Sequence, residues 1–300
     1  MGNPNPPKWA PHRTSSTHTQ KETTSQSIEA LARLLRGKRF ALLTGAGCST
    51  ESGIPDYRGP KTRLKTRSPI QYLDFIRKPE MRQRYWARSV IGWERFNTTQ
   101  PNAAHYAIAA LEAAQCTTGL ITQNVDRLHH RAGSRDVIEL HGALAEVRCL
   151  DCHTMDTRAA LQQRLLALNP DWLQQRYALA PDGDAELDAS ATHHFKVAPC
   201  RACGGVLKPN VVFFGENVPR ATVQDAFARV EMADALLVVG SSLTVYSGYR
   251  FVTRAAERGI PVAVLNLGPP HRGLESAEVF VNGRAGELLP QLTAQLGIAP

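Results

Sequence analysis

The stretch Phe40-Ala-Leu-Leu-Thr44, running straight into Gly45-Ala-Gly-Cys-Ser-Thr-Glu-Ser-Gly-Ile-Pro-Asp-Tyr-Arg58, decides how the rest of the chain is read. A short, unbroken apolar run marks a strand buried on both faces. The residues after it are small, with glycine at 45 and 47, so backbone N–H groups can approach a pyrophosphate closely. The dinucleotide fingerprint asks for a third glycine where this chain has Thr50, and for an acidic residue ending a second strand, which is not evident. The loop therefore suggests a dinucleotide, but not a standard dehydrogenase.

Outward from this loop the pattern repeats. Gly119-Leu-Ile-Thr122, Val137-Ile-Glu-Leu140, Ala235-Leu-Leu-Val-Val239, Pro261-Val-Ala-Val-Leu265 and Val279-Phe-Val281 are further apolar runs of strand length. Helical spacing falls between several of them, over 103–114, 221–232, 249–258 and 287–296. Ahead of them all, Ile28, Leu31, Leu34 and Leu35 follow the same period, with Gly37 as a C-terminal cap. Strands alternating with helices predict an α/β fold: a Rossmann-like, doubly wound parallel sheet covered on both faces. Ligands of such sheets bind at the loops beyond the strand ends.

Several of those loops carry candidate chemistry. Thr122-Gln-Asn-Val-Asp126 offers groups that bind hydroxyls and a carboxamide. Glu139-Leu-His-Gly142 places His141 where a general base for neutral pH can stand, better than His129 and His130 on a helical segment. Val239-Gly-Ser-Ser-Leu243 and Leu265-Asn-Leu-Gly268 are small polar loops suited to ribose and phosphates. Each of these alone also reads as an ordinary turn or a hydrogen-bonded structural residue.

Residues 144–215 break the rhythm. Cys149-x-x-Cys152 and Cys200-x-x-Cys203 flank a polar stretch containing Pro181-Asp-Gly-Asp184. Four thiolates close a tetrahedral zinc shell and leave no open position for catalysis, so a structural zinc in a small inserted module is expected. Cys48 and Cys116 have no such partners and read as small apolar fillers. The division expected is a disordered tail over 1–25, a Rossmann-like NAD-type domain over 26–143 and 216–300, and a zinc module over 144–215. The tail is rich in Ser, Thr, Pro and Asn and poor in apolar residues.

The net charge of +8 is scattered, densest over 61–67 and 77–88, and accompanies no nucleic-acid-binding motif, so neither a specific nucleic acid nor a membrane is expected as partner. No run of about 18 apolar residues occurs, and no signal-peptide core. A cytoplasmic protein is expected. The mitochondrial matrix is the alternative, since residues 1–25 carry Lys, Arg, Ser and Thr with one acid, Glu22.

In order and nearly in spelling, these features resemble the sirtuin (Sir2) family from about Ser27 to Leu296. The carriers are Gly45-Ala-Gly47 with Gly53-Ile-Pro-Asp-Tyr-Arg58, Thr122-Gln-Asn-Val-Asp126, Leu140-His-Gly142, the four cysteines, and Gly240-Ser-Ser242. The spelling of the first loop, Lys208-Pro-Asn-Val-Val-Phe-Phe-Gly215 and Val245-Tyr-Ser-Gly-Tyr-Arg250 look like the class II branch, which contains the mitochondrial lipoamidase-type sirtuin. Tyr57 stands where the family usually has Phe, and Arg127 and His130 are local variations.

The resemblance implies an NAD-consuming protein-lysine deacylase. NAD is its co-substrate, one zinc is structural, and acylated lysine side chains of proteins are its partners. Ala46, Gly47, Ser241 and Asn266 would hold the ADP half of NAD, with Arg58 by the phosphates. Gln123 and His141 would contact the nicotinamide ribose, and Asn124, Asp126 and Ile54 would line the nicotinamide pocket. Gly45, Asp56, Tyr57, Val125, Gly240, Ser242, Leu267, Gly268 and Ala285 complete the implied cofactor contacts. His141, Asn124 and Gln123 would be catalytic, His141 as base for a ribose hydroxyl. Val211, Phe213 and Phe214 would border the acyl-lysine channel. Tyr85 and Arg88, three apart and on one helix face, form a candidate clamp for a carboxylate on the acyl group. Two other readings use the same residues: a mono-ADP-ribosyltransferase, and a non-catalytic NAD or zinc module. The joint presence of Asn124, Asp126 and His141 argues against the second, because a binder needs no base.

Overall fold

Strand β1 (Phe40–Thr44) is buried along its whole length, and its side chains alternate between two cores. Phe40 and Leu42 enter one apolar cluster, Ala41 and Leu43 the other. A strand buried on both faces needs apolar residues at consecutive positions, which is why this segment reads as a continuous run rather than as an alternating one. In the computed structural model, which describes residues 27–56, 70–174, 178–179, 185–186 and 192–298, β1 is the middle of a parallel sheet. The expected 1–25 tail, Tyr57, Arg58, the basic run 61–67 and the 181–184 turn lie outside the described residues.

The chain enters through α1 (Ile28–Leu35), capped by Ser27, whose side chain accepts from the Ala30 N–H. After β1 come α2 (Tyr72–Arg77), α3 (Pro79–Thr98), α4 (Ala103–Ala113), β2 (Thr117–Thr122), α5 (Leu128–Arg131) and β3 (Val137–Glu139). The insertion follows, with β4 (Gly142–Cys149), β5 (Met155–Thr157), α6 (Arg158–Leu168), the two-residue strands β6 (Ala178–Leu179) and β7 (Ala185–Glu186), and β8 (Leu207–Val211). The chain returns through α7 (Arg220–Glu231), β9 (Ala235–Val239), α8 (Tyr246–Glu257), β10 (Val262–Asn266), β11 (Ala277–Asn282) and α9 (Ala285–Gln295).

Among the described residues the large sheet runs β11-β10-β9-β1-β2-β3, and every pairing in it is parallel. The chain winds outward from β1 through β2 and β3, then restarts on the other side of β1 with β9. The strand order reverses there, so the loops after β1 and β9 face each other across a switch point. One face is covered by α1, α4 and α9, the other by α7 and α8.

The insertion forms its own antiparallel sheet, β5-β4-β8. Its core also takes Phe75, Trp86, Ala87, Val90 and Ile91, so α2 and α3 pack with the module although they lie within 26–143. The module's first strand begins at Gly142, immediately after His141. Helix α8 begins a turn earlier than the apolar spacing predicts. Ser247 and Gly248 are poor helix formers, and contacts to the rest of the site, described next, override that local preference. No helix among the described residues is long and apolar enough to cross a membrane.

Candidate active site and metal centre

At the switch point, the loops after β1 and β9 interlock at the backbone. Gly47 N–H donates to Gly240 O at 2.8 Å, and a Cβ on Gly47 would stand 2.8 Å from that oxygen. Gly240 itself adopts φ +61°, and a Cβ there would meet Cys48 N at 2.5 Å. Glycine at both positions therefore permits the close approach, and Ala46 and Gly47 keep half-buried backbone at the surface where a phosphate can reach it. Gly45 and Ser241 are buried beneath it.

The loop after β2 is fixed to this floor. Gln123 Nε2 donates to Ser241 Oγ at 2.9 Å, and Asn124 Nδ2 donates to Gly45 O and Ser49 Oγ, both at 3.1 Å. Ser49 Oγ in turn donates to Asp126 Oδ2 at 2.6 Å, and Leu128 N–H donates to Oδ1 at 2.9 Å. Burial raises the Asp126 carboxyl above its ordinary value, and those hydrogen bonds oppose the rise. Val125 O accepts from Leu144 N–H at 3.0 Å, tying the loop to β4.

His141 sits between the two sheets, half-buried. Its Nδ1 lies 3.0 Å from Gln123 O and its Nε2 lies 2.8 Å from Ser247 Oγ. A carbonyl only accepts, so Nδ1 carries the proton and neutral Nε2 carries the lone pair. Burial is the main cause that lowers the His141 pKa, and Arg250 adds to it, while the bond to Gln123 O pulls the other way. The ring is thus held as the neutral form that accepts a proton.

The remaining implied contacts gather at the same sheet edge. Asn266 ends β10 and donates from Nδ2 to Gly268 O at 2.8 Å, and Leu267 is exposed beside it. Ser242 O accepts from His271 N–H at 2.8 Å. Ala285 is buried at the start of α9, where Gly286 N–H donates to Glu51 Oε2 at 2.7 Å. Ile54 and Asp56 are half-buried on the far side of the first loop.

Ile54 also lines a cavity of about 60 Å³ with Gly53, Pro55, Tyr85, Trp93, Leu144 and Arg158 among its walls. Tyr85 packs edge-on against Phe75 and tilted against Phe213, at 5.5 and 5.4 Å between ring centroids. Arg88 is not among the residues lining this cavity. The arginines there are Arg95, which donates to Gly53 O at 3.1 Å, and Arg158, which is buried, lies 4.9 Å from the Trp93 ring centre and donates to Ser89 O and Oγ at 3.1 Å. Nothing in the sequence distinguished Arg158 from a surface arginine at a helix start. Ser49 and Ser247 were equally silent, because their role lies in partners distant along the chain. Val211 is buried at the end of β8, with half-buried Phe213 and exposed Phe214 after it.

The four cysteines converge away from this edge. All four Sγ atoms lie within 4.8 Å of one another, with Cys149 to Cys203 at 3.5 Å and Cys152 to Cys200 at 3.7 Å. A tetrahedron with zinc–sulfur bonds of about 2.3 Å has edges of about 3.8 Å, so the set fits zinc. Each knuckle turns a backbone N–H onto sulfur: Cys152 N–H to Cys149 at 3.5 Å, and Gly205 N–H to Cys203 at 3.4 Å.

The Sir2 family model matches residues 45–247, from the first glycine loop to Ser247. The chain belongs to the Sir2 family. A protein of Xanthomonas axonopodis pv. citri named NAD-dependent protein deacetylase is 58% identical over 233 residues, 78% of this chain and 80% of that protein. The human protein named NAD-dependent protein lipoamidase sirtuin-4, mitochondrial, is 49% identical over 269 residues, covering 88% of this chain and 85% of its own length. A solved Sir2 structure with deacetylated p53 peptide and 3′-O-acetyl-ADP-ribose superimposes with a TM-score of 0.72 at 30% identity, over 91% of this chain and all (100%) of that one. The shared fold is the Rossmann-like parallel sheet, and in this chain its strand-end loops carry the glycines while the four cysteines cluster in the inserted module.

Proposed function

We propose that this Sir2 protein is an NAD-dependent protein-lysine deacylase with one structural zinc. The observation that carries the reading is the state of His141: Nδ1 donates to Gln123 O, which leaves Nε2 as a proton acceptor beside the Gln123–Asp126 loop. NAD, when bound, supplies an activated ribose carbon that takes up the acyl oxygen and releases nicotinamide.

The chain's own groups do the rest. The backbone of Gly45–Gly47 and Gly240–Ser242 receives the phosphates, with Asn266, Leu267, Gly268 and Ala285 along the ADP half. Asp126, held by Ser49 and Leu128, presents its carboxylate to the carboxamide, and Asn124 and Ile54 flank it. Nε2 of His141 accepts the proton of a ribose hydroxyl, while the Nδ1 proton stays on Gln123 O. That hydroxyl oxygen would then bond to the acyl carbon, the lysine amine would leave with a proton, and water would add to the same carbon and break its bond to the first oxygen, so the products are free lysine and O-acyl-ADP-ribose. Cys149, Cys152, Cys200 and Cys203 would hold zinc, which contributes folding energy and no open coordination site. Four reduced thiolates suit a reducing compartment, so the cytoplasm is the compartment proposed, to be checked by fractionation.

The test is mass spectrometry of products from NAD and a panel of acyl-lysine peptides. Free lysine with O-acyl-ADP-ribose is expected. ADP-ribose attached to protein, with the acyl group still on lysine, would replace this reading with that of a mono-ADP-ribosyltransferase.

A further inference from the structure

The first turn of α8 touches both polar groups of the site. Ser247 Oγ lies 2.8 Å from His141 Nε2. The next residue, Gly248, backs the Gln123 side chain so closely that a Cβ there would stand 2.5 Å from Gln123 Oε1. Gln123 is in turn the residue whose carbonyl fixes His141 Nδ1. The ring is thereby gripped at both nitrogens, by β2's loop on one side and by α8 on the other.

The hydrogen directions follow from the chemistry. Nδ1 is committed as donor, so Ser247 must donate its hydroxyl proton to the Nε2 lone pair. That is the lone pair through which a base receives a proton from substrate, and it accommodates one donor at a time. Ser247 therefore occupies in the free protein the place a substrate hydroxyl takes in the reaction. We propose that Ser247 is a positioning residue for His141, holding the ring in its proton-accepting orientation and ceding Nε2 to the substrate hydroxyl. Ser247 is half-buried at the helix start, where a single side-chain torsion moves the hydroxyl off the ring. Without it the imidazole is anchored only at Nδ1, and part of its population turns away from the reacting hydroxyl.

This inference rests on the deacylase reading, and the experiment separates the two. Ser247→Ala and Ser247→Thr are each assayed for two activities: deacylation of an acyl-lysine peptide, and incorporation of labelled nicotinamide into NAD in the presence of that peptide. Cleavage and re-formation of the nicotinamide bond precede the step that needs the base. Ser247→Ala should lower deacylation roughly 3- to 10-fold, the worth of one net hydrogen bond, and leave exchange unchanged. Ser247→Thr, which keeps the hydroxyl, should retain deacylation. Deacylation and exchange falling together, no fall in deacylation, or a Thr variant as impaired as the Ala variant would each overturn the proposal. Absence of deacylation by the wild-type chain would instead overturn the deacylase reading itself.

Discussion

At the scale of single residues, the site is a set of acceptors and donors whose directions can be read from one fixed partner each. His105 shows how far this extends. Asn102 N–H donates to its Nδ1 at 3.2 Å, so its Nε2 is the protonated nitrogen that faces Ser49 Oγ at 3.4 Å. Burial lowers its pKa to about 4, so it stays a neutral donor behind Ser49 and Asp126. The sequence marks Asp126, Asn124 and His141 because each stands in a short polar motif at a strand end. Ser49 and His105 carry no such mark: they are 56 positions apart and meet only in the folded chain. For His141 itself, replacement by Ala should leave folding intact and lower deacylation by at least about 10²-fold, measured as steady-state turnover. The pH dependence has a defined sign. The active form is neutral, and burial and Arg250 hold the pKa below its ordinary value of 6.5, so turnover should be flat through neutrality. It should fall only as pH drops below that value. A midpoint above 6.5 in the acid limb of the rate profile would contradict the assignment.

At the scale of elements, the strands of the large sheet are legible in the sequence, and those of the insertion, β4, β5 and β8, are not. β1, β9 and β10 alternate residue by residue between two cores, which forces apolar side chains at consecutive positions. The start of α8 was missed because Ser247 and Gly248 favour a turn locally, and the contacts that draw them into a helix belong to β2's loop and to His141. The joint between sheets depends on Gly142, which has φ +74° and whose missing Cβ would lie 2.0 Å from Asn210 O on β8. Gly37 has a similar φ of +73° but open space where its Cβ would be. Gly37→Ala should therefore cost only the backbone penalty, about 1–2 kcal/mol. Gly142→Ala should cost that plus about 1–3 kcal/mol of overpacking, and should displace β8. Urea unfolding of the two variants side by side reads the difference, and equal losses would mean that β4 and β8 yield freely.

At the scale of the whole molecule, the zinc cluster and helices α2 and α3 are joined through a shared core. The sequence shows the four cysteines plainly. It does not show that α2 and α3 bury Phe75, Trp86, Val90 and Ile91 against the module, because the helical segment around 82–88 also reads as a basic surface helix. Cys149 is itself a member of that core, so Cys149→Ser should lose the metal and loosen both the module and the helices on it. A loss of several kcal/mol, about 10 °C in the unfolding midpoint, is expected by calorimetry alongside metal analysis. A metal-free variant with the wild-type midpoint would show that the cluster does not support the fold. The sheet order carries a consequence for synthesis. β1 pairs on one side with β2 and on the other with β9, and Phe40 meets Ala235 in that second pairing. While the ribosome is still making the module, β1, β2 and β3 can already associate, but the far side of β1 is an unpaired apolar strand edge, the kind that recruits other chains. The half-made protein is therefore most prone to aggregate between completion of β3 and release of β9, and the glycine loop waits throughout that interval without the Gly240 backbone on which it closes.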